Sequence, residues 1–271
     1  MARQRVVTLL TDFGRCDPYV AEMKGVILSI CSDAALVDIS HEIGAGDVVA
    51  GAFVLRQALP YFPPETVHCV VVDPGVGTER RILAARYADQ TIVFPDNGVI
   101  TLVERDQPLE ALAVVRDERY FLQPGFSGTF HGRDIMAPVA AHLANGLAIS
   151  RLGPRPERFQ VLELPEPSQA EDGSVVGQVV YTDRFGNLIS NVSVDLIRDS
   201  LGGLSGLEVG CGGRPVGPIR TAYAEVEPHQ PLALINSMSL LEVAVNGGRA
   251  CDDLGAGRDT EIRVARAAGR R

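Results

Sequence analysis

The chain has 271 residues, room for one large domain or two modest ones, and is 46% hydrophobic and 22% charged, a globular composition. Its formal net charge of −9 argues against a nucleic-acid partner, which demands a basic face, and is compatible with a cationic substrate. No apolar run reaches the ~18 residues of a membrane span, and the first one is stopped by Asp12, too early for a signal peptide. The cysteines (Cys16, Cys31, Cys69, Cys211, Cys251) form no Cys-x-x-Cys pair and fit reduced thiols in a cytoplasmic protein, not disulfides or a zinc site.

In chain order, residues 6–10 read as a strand ending in Thr11-Asp12-Phe13-Gly14. Asp17-Pro18 opens a helix to about residue 31, with Asp17 as N-cap and proline at the first helical position. A second strand covers 35–39. Asp47 caps a helix reaching residue 59, closed by Pro60 and Pro63-Pro64. Strands follow at 66–72, 82–87 and 91–94, then a helix at 134–144 stopped by Asn145-Gly146. This alternation predicts an α/β N-terminal domain, Rossmann-like with a mostly parallel sheet, over residues 1–155. Residues 156–172, rich in proline and acidic groups, read as a linker. Short strands at 175–181, 188–192, 207–209, 232–235 and 242–245, with glycine in nearly every gap, predict a small all-β barrel over 173–271, its last residues a frayed tail.

The densest chemistry follows the strand Val70-Val71-Val72. Asp73-Pro74-Gly75 ends it abruptly, and Arg80-Arg81 come soon after. Ligands of open α/β sheets bind just outside the carboxyl ends of strands. Asp12, Asp73 and Asp96 all follow predicted strands. Each could be an ordinary turn or cap residue; together they could converge on one pocket. They could even hold Mg²⁺, against competition from the arginines. The Gly75-Val76-Gly77 loop lacks the Gly-Lys-Ser/Thr ending of a phosphate loop, and Arg80 stands where a dinucleotide fingerprint needs its third glycine.

A second cluster is Ser127-Gly128-Thr129-Phe130-His131-Gly132-Arg133-Asp134. His131 there is either a structural loop histidine or a group that takes or orients a proton near neutral pH. A nucleophile elbow, Gly-x-Ser-x-Gly, is missing. His68 falls within a strand and reads as packing. Tyr181 to Leu188 is a hairpin turn in which Phe185 and Asn187 could instead stack on and bond a heteroaromatic base. Asn236-Ser237 begins a polar turn running to Glu242.

Taken together, Thr11-Asp12-Phe13-Gly14, Asp17-Pro18-Tyr19-Val20, Asp38-Ile39-Ser40-His41, Val72-Asp73-Pro74-Gly75-Val76-Gly77-Thr78, Arg80-Arg81, Pro95-Asp96-Asn97-Gly98, Thr129-Phe130-His131-Gly132-Arg133-Asp134, Asp183-Arg184-Phe185-Gly186-Asn187 and Asn236-Ser237 resemble one family in order and spacing. It is that of the S-adenosyl-L-methionine (SAM) hydrolases that form adenosine, the SAM hydroxide adenosyltransferases, relatives of SAM-dependent fluorinases and chlorinases. The resemblance implies SAM as substrate, no further cofactor and no metal. It implies a homotrimer, with SAM between the N-terminal domain of one subunit and the barrel of its neighbour. It implies Asp73, Arg80 and His131 as the catalytic set and Asp12 on the ribose. It places Asp17 and Asp183 on the methionine amine, and Phe185, Asn187, Ser237, Glu242 and Val245 toward the adenine. The halogenases carry Tyr followed by Ser or Gly where His131-Gly132 stands here, so the resemblance favours an oxygen nucleophile. A SAM-dependent halogenase of chlorinase type and a non-catalytic adenosine- or SAM-binding protein remain the alternatives. No nucleic acid or membrane is implied as a partner.

Overall fold

Leucine and β-branched residues make Val6–Thr11 (β1) a strand buried from its second residue onward. It opens the first of two compact units, Met1–Leu162 and Glu163–Arg271, in a computed structural model that describes residues 4–122 and 128–267. Ser127 of the histidine cluster, the first three residues and most of the expected tail lie outside the described residues.

In the first unit, β1 leads through α1 (Tyr19–Ile30) to β2 (Ala35–Ser40), and through α2 (Val48–Ala58) to β3 (Val67–Val71). Next come β4 (Ile82–Tyr87), β5 (Gln90–Pro95), α3 (Thr101–Asp106), β6 (Leu109–Val114) and α4 (Ala137–Ala144). The sheet order is β2-β1-β3-β5-β4-β6. The pairings β2–β1, β1–β3 and β3–β5 are parallel; β4 runs antiparallel to both β5 and β6, so the sheet is mixed. The chain moves one way from β1 to β2 and the other way to β3. The carboxyl ends of β1 and β3 therefore flank the point where the winding reverses, the usual ligand position in open α/β sheets, and Asp12 and Asp73 follow those two ends.

Asp47 caps α2 as expected, accepting from the Ala50 N–H at 3.0 Å. Asp17 does not cap α1. That helix starts at Tyr19 with Pro18 in the cap position and no side-chain cap bond, leaving Asp17 exposed. β6 is not evident in sequence: Leu-Glu-Ala-Leu-Ala-Val is rich in helix formers, and pairing with β4 overrides that preference.

Within the stretch read as a linker, Val161 bridges to Gly98, and Ser168–Gln169 (β7) pairs with β8 (Val175–Thr182). The second unit continues through β9 (Leu188–Ser193), α5 (Val194–Leu201), β10 (Leu207–Cys211), β11 (Arg214–Arg220), β12 (Pro231–Ile235), β13 (Leu240–Val245), α6 (Ala250–Leu254) and β14 (Glu261–Arg266). The strands run β14-β10-β11-β12-β13-β9-β8, and β14 also pairs with β8, so the barrel closes on itself. Val175, Val179, Leu188, Val209, Ile262 and Val264 fill it. β11 is hidden in sequence, because Pro215, Gly217 and Pro218 look like loop. They are tolerated because the β10 pairing slips between Val209 and Gly210 and β12 is met over only Ile219 and Arg220.

Candidate active site

Asp73 leaves the end of β3 and the loop behind it returns Arg80 to the same carboxylate. The return is built locally. The Val76 N–H donates to the Asp73 carbonyl and Thr78 donates twice to the Gly75 carbonyl, from its N–H and its hydroxyl. Gly77 sits at φ +79°, a left-handed turn that suits glycine.

The result is a side-on ion pair. Arg80 Nε donates to Asp73 Oδ1 at 3.0 Å and Oδ2 at 2.9 Å, and Nη2 donates to Oδ2 as well. The two side chains are only 9% and 5% exposed. A pair this buried holds its geometry because each charge is costly without the other. The remaining Nη2 hydrogen points at His131 Nδ1, 2.8 Å away. A guanidinium only donates, so Nδ1 accepts, and the neutral imidazole carries its proton on Nε2. Burial, then the positive charge of Arg80, pushes the His131 pKa below that of an ordinary histidine. Arg80 Nη1 has no partner among the described residues and keeps two N–H groups for a ligand. Arg80 and His131 line one cavity of about 310 Å³, with Arg81, Arg116, Phe121 and Ile135 on its other walls.

His131 is placed by a π-helical turn, Gly132–Met136, that leads into α4. A Cβ on Gly132 would sit 3.1 Å from Val71 and 3.3 Å from Phe130, so a larger residue would push this turn away from the end of β3. Phe130 meets Phe13 and Tyr19 edge-to-face, with centroids 5.6 and 5.3 Å apart. Arg133 lies 5.0 Å over the Phe130 ring and is tied to Asp134 and Glu22. An aromatic wall thus stands between the Asp12 turn and His131. Local sequence hints at it only through isolated aromatics.

Asp12 Oδ2 accepts the Gly46 N–H at 2.8 Å. Asp17 is exposed, with no hydrogen-bond partner among the described residues. Asp96 does not join the other strand-end carboxylates. It binds Arg81 and accepts the Gln160 N–H at 2.7 Å, latching the chain after α4 back onto the unit. His68 is packing, as expected. It is buried, bonded to Thr8 and Gln90, and burial lowers its pKa to about 4.

On the barrel, Asp183 and Asn187 close their own turn. The Asn187 N–H and side-chain amide donate to the Asp183 carboxylate at 2.8 and 3.0 Å. Phe185, at its tip, is 75% exposed. Glu242 is buried and accepts from Tyr223 Oη at 2.8 Å and Asn236 at 3.3 Å. Burial pushes the Glu242 carboxyl upward, and the Asp183 charge adds to this. Ser237 is exposed on the turn between β12 and β13, and Val245 packs into the barrel core. Tyr223 joins the site without a sequence signal. Nothing in Thr221-Ala222-Tyr223-Ala224 marks it, and only folding brings it to Glu242.

The chain as a whole is similar to known proteins. Residues 7–153 match the SAM hydroxide adenosyltransferase N-terminal domain, and residues 177–263 match the C-terminal domain. The chain belongs to the SAM hydroxide adenosyltransferase family. It is 41% identical to an (R)-S-adenosyl-L-methionine hydrolase of Thermus thermophilus over 96% of this chain and 99% of the relative. It is 30% identical to a fluorinase of Nocardia brasiliensis over 70% and 72% of the two chains. A crystal structure of an uncharacterized conserved protein from Thermotoga maritima superposes with a TM-score of 0.90 at 36% identity, covering 96% of this chain and all of that one.

Proposed function

We propose that this protein hydrolyses SAM to adenosine and L-methionine. The observation that carries the reading is the Asp73–Arg80–His131 chain, in which Arg80 and His131 line one cavity. Hydrolase relatives covering nearly the whole chain support it.

The oxygen of a water attacks C5′ in line with the C5′–S bond. The bonding pair leaves on sulfur, giving the neutral thioether of methionine, and the water proton passes to solvent. Sulfonium departs well unaided, so neither a general acid nor a metal is required. The difficulty is the nucleophile, since bulk water has a pKa near 15.7. Arg80, immobilised by Asp73, offers Nη1 and its charge to the oxygen and favours hydroxide character. In the tautomer set by Arg80, His131 donates from Nε2 and steadies the same oxygen. It takes a proton on Nδ1 only if the Arg80 contact opens. Positive charge at sulfur is lost in the transition state, so carboxylates serve best away from it. Asp12 binds the ribose hydroxyls; Asp17 and Asp183 take the ammonium group. Phe185, Asn187, Ser237, Glu242 and Val245 form the adenine side.

The finer reading of the first unit is Rossmann-like, supported by the reversal of winding beside β1. We place the protein in the cytoplasm. No described helix is long and apolar enough to cross a membrane. The homotrimer with interfacial sites belongs to the same proposal, and the exposed Phe185 ring supports it as a surface that a partner covers.

Chromatography of SAM incubated with the protein tests the activity. Adenosine and methionine in equal amounts support it. A 5′-halo-5′-deoxyadenosine peak in chloride or fluoride would instead make it a halogenase, and adenosine binding without methionine release a binding protein. The relatives are named for (R)-SAM, so resolved sulfonium diastereomers belong in the assay.

A further inference from the structure

His41 follows β2 and is 2% exposed. Its side chain and main chain hold the two ends of the turn that carries Asp12. Nδ1 lies 2.9 Å from the hydroxyl of Thr11, the last residue of β1. The His41 carbonyl accepts the Gly14 N–H at 2.7 Å. Between these anchors, the Phe13 N–H donates to Thr11 Oγ1 at 3.3 Å.

The partners fix the direction of the chain. His41 Nε2 lies 3.1 Å from Asp38 Oδ1, close enough for charge attraction but off the line of a hydrogen bond, and Asp38 Oδ2 accepts from Lys24 at 2.7 Å. The Asp38 charge beside Nε2 repels a lone pair and favours the tautomer with its proton there. Nδ1 is then an acceptor, so the Thr11 hydroxyl donates to it. The Thr11 oxygen keeps lone pairs for the Phe13 N–H. Four residues from β2, α1 and β1 thus set the path of one turn. Asp12 Oδ2 is used by Gly46, and Oδ1 has no partner among the described residues.

We propose that His41 is a positioning residue for the reaction, holding the Thr11–Gly14 turn so that Asp12 presents Oδ1 to the vicinal hydroxyls of the substrate ribose. This rests on the ribose role given to Asp12 above. His41 touches no reacting atom; it acts through Thr11 and the turn. The cost of losing it falls on hydroxyl recognition, not on displacement at C5′.

The test is calorimetric binding of adenosine and of 2′,3′-dideoxyadenosine to the full chain, with steady-state kinetics on SAM. The parent protein is expected to prefer adenosine by at least about ten-fold, the scale of one hydrogen bond to a charged group. Asp12→Asn abolishes most of that preference. His41→Ala and Thr11→Val are expected to lose about five- to ten-fold in adenosine affinity and in KM, with dideoxyadenosine affinity and kcat within about two-fold. His41→Asn, which keeps an acceptor near the Nδ1 position, restores most of the preference. Thr11→Val, close to isosteric, carries the test if His41→Ala fails to fold. A parental adenosine preference in folded His41 and Thr11 variants, with Asp12→Asn losing it, would overturn this inference alone. Equal loss of both ligands would overturn it too, as simple structural damage. An unchanged preference in Asp12→Asn would overturn the ribose reading and this inference with it.

Discussion

Arg80 hands one Nη2 hydrogen to Nδ1 of His131 across 2.8 Å while its Nε edge is held by Asp73. One guanidinium therefore fixes both a carboxylate and the tautomer of an imidazole. Lysine has a point charge and no fork, so it cannot serve both partners. Arg80→Lys is expected to lower kcat by ~10²-fold or more with a smaller change in KM, read by steady-state kinetics. Arg80→Ala strands the buried Asp73 charge and is expected to cost about 3–5 kcal/mol in urea unfolding.

The same contact sets an acid limit. Protonated His131 would lose the lone pair that Arg80 uses and would face a second cation. The working form is neutral, and burial and Arg80 depress the His131 pKa. Activity is therefore expected to persist to a lower pH than an ordinary histidine would allow. In a kcat–pH profile the acid limb should centre below about 6.5. A limb centred at or above that value would contradict the assignment.

Stability should show a separate pH signature from His68. Its folded pKa is about 4, against 6.5 for an ordinary histidine. Between these values the unfolded chain binds a proton that the folded chain does not. Stability is thus complete above about 6.5 and falls toward pH 4, by an amount on the order of 3 kcal/mol. His68→Gln should be less stable at neutral pH and should flatten the slope of unfolding free energy against pH over that window by about one proton.

Asp96 gives a contrasting case. It is buried against Arg81 and the Gln160 N–H and makes no hydrogen bond to Asp73, Arg80 or His131. Asp96→Ala is expected to destabilise the first unit by about 2–4 kcal/mol, leaving kcat for SAM within about two-fold below the unfolding transition. Proteolysis should then cut near residues 156–162 sooner than in the parent.

Much of this could be read from the chain because its signals are local. Asp47 caps a helix, Val70-Val71-Val72 ends at Asp73-Pro74-Gly75, and glycine-punctuated strands announce a barrel. Other parts depend on contacts between distant segments. β6 is a strand because β4 lies beside it, despite its helix-forming residues. β11 survives two prolines because its neighbours demand few of its N–H groups. At the site, a strand end and a loop motif mark Asp73, Arg80 and His131 in separate clusters and the family resemblance joins them, but neither gives the imidazole tautomer, which a single nitrogen–nitrogen contact decides. Asp96 shows the opposite limit. A carboxylate after a strand looks the same in sequence whether it faces a ligand or holds a backbone amide.

In the proposed reaction, water displaces methionine at C5′ in the grip of Arg80 and His131. The direct measurement is mass spectrometry of the products when SAM is turned over in ¹⁸O-labelled water. Adenosine carrying one heavy oxygen, with unlabelled methionine, is the predicted result. Unlabelled adenosine, or 5′-methylthioadenosine with the label in homoserine, would contradict it.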